Sequence, residues 1–105
     1  MKKIIATFAL LCALSAGAFG QTADDYFNQG NAYYNQGDYY RAITAFTSAI
    51  RLNPNYAEAY DYRGIAYGIT GDYTRAIADI ETALRIDPNN TNARRALELA
   101  RQLAQ

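Results

Sequence analysis

The chain has 105 residues, ten basic and ten acidic side chains, no histidine and one cysteine. That balance supplies no basic footprint for nucleic acid. A lone Cys12 without histidine also removes the usual nucleophile–base pairings, and the length holds one domain.

Residues 1–20, MKKIIATFALLCALSAGAFG, have the form of an export signal. Lys2 and Lys3 make a basic start, Ile4 to Leu14 an apolar run, and Ser15, Ala16, Gly17, Ala18 and Gly20 a small-residue end. Cleavage is expected after Ala18 or Gly20, the latter preferred because it leaves the polar QTADD as the new terminus. The run is shorter than the ~20 residues of a spanning helix, so no stable span is expected after processing. An uncleaved anchor and full secretion are the alternatives to a periplasmic location. Processing removes Cys12 and both lysines, leaving eight arginines against ten acids and a net charge of −2. A cysteine-free product suits an oxidising envelope.

Shifting 23–56 onto 57–90, a period of 34, gives fifteen identities, including GDYYRAI at 37–43 against GDYTRAI at 71–77. A fixed period of this length marks stacked supersecondary units. In chain order, Tyr26, Gly30 and Tyr33 lie at helical spacing on a first helix, with Gly30 expected where a second helix approaches closely. Gly37 is expected to end that helix in a left-handed conformation, and Asp38 to cap the next. The second helix meets the first through small residues, Ala42 and Ala49, and Pro54 stops it. Tyr60, Gly64, Tyr67, Gly71, Asp72, Ala76, Ala83 and Pro88 repeat the sequence of roles. Residues 91–105 read as a fifth helix, capped by Thr91 or Asn92, with Arg94, Arg95, Arg101 and Gln102 on its polar face. The repeated heptad is therefore a turn and a helix start, not a duplicated active site.

These residues resemble the tetratricopeptide repeat family. The motif reads Tyr26, Gln29-Gly30, Tyr33, Ala42, Phe46, Pro54, and again Tyr60, Arg63-Gly64, Tyr67, Ala76, Ile80, Pro88. Gln29 and Arg63 stand where leucine is usual, which is expected to loosen packing between repeats. The resemblance implies an all-α fold, with antiparallel helical hairpins stacked into a right-handed superhelix of about five helices. Its parts are repeat 1 at 23–56, repeat 2 at 57–90 and a capping helix at 91–105.

The resemblance also implies a non-catalytic interaction module that binds a peptide or partner protein in a concave groove. Phe27, Asn31 and Tyr34 form the groove stripe of the first repeat. Asp61, Tyr62, Ile65 and Ile69 continue it, with Gly68 leaving room for a pocket, and Arg95 and Leu99 close it. Of ten tyrosines, six (Tyr26, Tyr33, Tyr39, Tyr60, Tyr67, Tyr73) occupy positions the family buries, and Tyr34, Tyr40, Tyr56 and Tyr62 have no core duty evident from the pattern. Some family members clamp a chaperone's C-terminal carboxylate with lysines and asparagines. Only Asn31 fits that pattern, since Phe27 and Tyr62 stand where lysine and asparagine are expected. The acidic residues show no metal-loop spacing, so neither catalytic residue, metal nor cofactor is expected. Self-association through stacked copies is the alternative function, because such arrays usually need about three repeats.

Overall fold

A computed structural model describes residues 20–105. The expected export segment and both of its cleavage sites lie, but for Gly20, outside the described residues. Among the described residues five helices follow one another: α1 Ala23–Asn35, α2 Tyr39–Leu52, α3 Ala57–Ile69, α4 Tyr73–Ile86 and α5 Thr91–Leu103. Each packs on the next in line, and α3 also touches α5. Loops of three or four residues force successive helices to run antiparallel.

The repeated turn is built as its letters require. Gly37 and Gly71 have φ of 82° and 93°, a region that L side chains pay to enter. The next amide then reaches back: Asp38 N donates to the Tyr33 carbonyl and Asp72 N to that of Tyr67, each at 2.9 Å. Gly37 N donates to the Tyr34 carbonyl at 3.0 Å, completing the six-to-one and five-to-two pattern that closes a helix C-terminus. The side chains of Asp38 and Asp72 accept from Arg41 N and Arg75 N at 3.2 and 3.1 Å and so start the following helix. The repeated arginines complete the unit. Arg41 and Arg75 pair with those same aspartates and lie over the rings of Tyr33 and Tyr67, at 5.8 and 5.9 Å from the centroids.

Two cap assignments add detail. Thr22 and Asp25 form a reciprocal capping box at the start of α1. At α5 the cap is Asn90, whose side chain accepts from Ala93 N at 3.0 Å, rather than Thr91 or Asn92. The helix therefore begins one or two residues earlier than those caps imply.

Inside each hairpin the glycine admits a large residue, not a second small one. A Cβ on Gly30 would lie 2.5 Å from Phe46 Cε1, and one on Gly64 would lie 2.8 Å from Ile80 Cγ1. Phe46 and Ile80 are the two largest fully buried side chains among the described residues. Ala42, Ala49, Ala76 and Ala83 are buried beside them and keep the helix axes close.

Arg63 does not loosen the stack. Its Nε and Nη2 donate to the two carboxylate oxygens of Asp79, both at 2.7 Å, and Nη1 donates to Thr47 Oγ1 at 3.1 Å. One guanidinium thus ties α3 to α4 and to α2, between the rings of Tyr60 and Tyr67. Burial pulls its pKa down, but the Asp79 carboxylate outweighs this and holds it above the ordinary arginine value. The planar fork replaces the apolar contact of a leucine by charge-assisted hydrogen bonds.

Candidate interaction surface

Of the nine residues expected along a groove, six come together in two places. Phe27 is 8% exposed and belongs to the core. Its ring centroid lies 5.7 Å from that of Phe46, 4.9 Å from Tyr56 and 5.7 Å from Tyr62. Tyr34 meets Tyr39 at 5.3 Å and Tyr62 at 5.9 Å, both edge-on. The junction of α1, α2 and α3 is therefore lined by aromatic rings: Phe27 is buried in it, while Tyr34 and Tyr62 stay half-buried. The reason is the length of the tyrosine side chain: from α3, Tyr62 reaches across to both earlier helices.

The expected division of tyrosines does not hold as drawn: Tyr34, Tyr56 and Tyr62 pack against the core beside Tyr26 and Tyr33, and these five, with Tyr39, Tyr60, Tyr67 and Tyr73, are all half-buried. Tyr40 alone of the ten is exposed, at 73%. Tyr56 also donates its hydroxyl to Asp24 Oδ1 at 2.7 Å, fixing the start of α1 to the inter-repeat loop. Burial, then that hydrogen bond, raise the Tyr56 pKa well above the usual phenol range.

Asp61 stands at the register of Phe27 and is 6% exposed. Its Oδ2 accepts from Asn90 Nδ2 at 3.2 Å, while Oδ1 is buried without a hydrogen-bond partner. Burial raises its pKa; the Asn90 hydrogen bond opposes this and the nearby Glu58 adds to it. Asn31 is half-buried and Arg95 exposed.

The remaining three, Ile65, Ile69 and Leu99, come together at the second junction. With Gly64 and Gly68 of α3, Tyr73, Ala76 and Ile80 of α4, and Ala96, Ala100 and Leu103 of α5, they line a half-open apolar pocket of about 240 Å³. Gly68 leaves space here, as its missing side chain suggested. Ile69, Leu99 and Leu103 are 50%, 55% and 52% exposed, so three of the five exposed large apolar side chains among the described residues are gathered at one mouth. Sequence reasoning missed Ala96 and Leu103. The signal was in the chain: carrying the 34-residue register into the fifth helix sets Ala96 opposite Tyr62 and Leu103 opposite Ile69.

Stacked helical hairpins of this length, with glycine and alanine at the contacts, define a helical repeat protein with a lateral apolar pocket. The tetratricopeptide repeat family model matches residues 27–91, and the chain belongs to that family. Solved structures agree. The first TPR of Spaghetti (RPAP3), bound to the HSP90 peptide SRMEEVD, superposes with a TM-score of 0.78 at 27% identity, covering 81% of this chain and 68% of that one. The second TPR domain of human RPAP3, in complex with the HSP70 peptide SGPTIEEVD, gives 0.77 at 30% identity, covering 85% and 74%. The MamA protein gives 0.77 at 31% identity and 79% coverage of this chain, which spans only 45% of the MamA chain. No curated protein matches the sequence.

Proposed function

We propose that this protein is a non-catalytic interaction module of the cell envelope that holds a segment of a partner protein on the face shared by α3 and α5. The carrying observation is the apolar pocket between α3, α4 and α5, with Ile69, Leu99 and Leu103 exposed at its mouth. Stacked helices hold that surface in shape before a partner arrives, so little ordering entropy is lost on binding. Two structurally similar domains are solved with peptides bound, which supports the same use of the fold here.

The ligand chemistry differs from those peptides, which end in two acids, valine and aspartate. The only lysines are Lys2 and Lys3, and Arg41, Arg63 and Arg75 are engaged by the chain's own aspartates. On repeats 1 and 2 an acidic peptide would find Arg51 and Arg85 outside those pairs, both exposed, but no lysine, whereas an apolar segment finds a built recess. The periplasmic location follows from the signal-like segment at 1–20.

Selection of displayed peptides on the folded chain tests the reading. Enriched binders are expected for the parent and not for Ile65→Arg or Leu99→Arg, with helicity unchanged in both. Binders that ignore both substitutions would refute the assignment of this face. Self-association draws on the same exposed leucines, and a chain that sediments as a monomer at high concentration would dismiss it.

A further inference from the structure

The two junctions share a register but not a bulk. At the first, Phe27, Tyr34, Phe46 and Tyr62 enclose one another, with centroid separations from 5.7 to 6.1 Å among the contacting pairs. Thirty-four residues on, the same four positions hold Asp61, Gly68, Ile80 and Ala96. Three of those, Gly68, Ile80 and Ala96, line the 240 Å³ pocket. The pocket is the space that aromatic rings occupy one repeat earlier.

A second feature points the same way. At the first junction Tyr39 meets the Tyr34 ring edge-on, at 5.3 Å and 82°. Its counterpart Tyr73 lines the pocket, but the residue matching Tyr34 is Gly68, so Tyr73 is left without that partner. Tyr73 is the one aromatic residue of that lining, and an edge-to-face ring against it gains beyond the burial that an aliphatic chain would give. The volume is sufficient, since an apolar cavity of about 150 Å³ already accepts benzene.

We propose that the pocket is the anchor site for one aromatic side chain, tyrosine or phenylalanine, projected by a segment of a partner protein, and that it seats there as Tyr34 seats in the first junction. This inference rests on the interaction-module reading and names the chemistry of the partner. The anchor ring supplies what Gly68 and Ala96 lack, and Tyr73 gives it an edge contact.

The test is amide NMR of the full chain titrated with p-cresol, with the capped pentapeptide GSYSG and with its GSASG counterpart. Saturable shifts are expected at Gly64, Gly68 and Leu99 for p-cresol and GSYSG in the millimolar range, with GSASG at least tenfold weaker. Gly68→Tyr and Ala96→Tyr, which restore the rings of the first junction, are expected to raise Tm and abolish the shifts. Equal binding of the two pentapeptides, or shifts that persist in Gly68→Tyr, would overturn the anchor. So would binding of p-cresol alone, or self-association that Gly68→Tyr removes while GSYSG stays inert. Peptides selected on this face that show no aromatic preference would also sink the anchor, yet leave the broader reading standing; failure to select any peptide would remove both.

Discussion

Replacing Arg63 by leucine would restore the residue usual for the family and should nevertheless destabilise this protein. Arg63 and Asp79 have side chains 17% and 10% exposed and share two hydrogen bonds of 2.7 Å. Removing one member of a buried pair typically costs about 3–5 kcal/mol, because the other charge is left desolvated. Arg63→Leu strands Asp79, the more buried partner, so about 3 kcal/mol is expected. For a domain this small each kcal/mol moves Tm by about 4–8 °C, giving a loss of roughly 12–24 °C. Asp79→Ala strands an arginine that still has Thr47 and two tyrosine rings beside it and a long stem on which to reach solvent. Its cost should be nearer 1–2 kcal/mol. The double variant Arg63→Gln/Asp79→Ala copies the first repeat, which has Gln29 and Ala45 at these registers, and should recover most of the loss. Circular dichroism melts at 222 nm and pH 7 on the parent, Arg63→Gln, Asp79→Ala and their double variant complete the cycle, with Arg63→Leu melted beside them. Single effects that are each under about 0.5 kcal/mol and simply add would refute the claim that this pair joins the three helices.

Glycine-to-alanine changes should have opposite signs along the same helical register. Gly30→Ala drives a methyl to 2.5 Å from the buried Phe46 ring and is expected to cost about 1–3 kcal/mol from overpacking, whereas Gly68→Ala meets only Ala76 Cβ at 3.7 Å and should gain up to about 1 kcal/mol of helix propensity; urea midpoints of the two variants check the contrast. Asp61→Asn should stabilise the fold at pH 7. The raised folded-state pKa of Asp61 means that its proton binds the folded state more tightly. Its contribution is thus favourable below the unfolded carboxylate pKa and is lost as pH rises through the folded value. The Tm advantage of Asp61→Asn should therefore shrink on titration from pH 7 toward 4, and an advantage that is independent of pH would refute the assignment.

The sequence alone determined the architecture, and it did so because every repeated letter answers a local demand. Gly37 and Gly71 satisfy a backbone angle, Asp38 and Asp72 satisfy orphan amides, and Gly30 and Gly64 permit helix contact; each of these acts within a few residues or one hairpin. The period of 34 then fixes the stacking, since each hairpin covers its apolar side with the next. What only the tertiary structure decided was which side chains lie inside a junction. Phe27, Tyr34 and Tyr62 look like one exposed stripe when helices are read singly, but three helices converge on them, burying Phe27 and half-burying the two tyrosines. Arg63 reads as a flaw until Asp79 and Thr47, sixteen residues away on either side, are seen to meet it. The pocket has the same origin: it depends on Gly68 and Ala96 facing one space from two helices, a relation that no local spacing encodes.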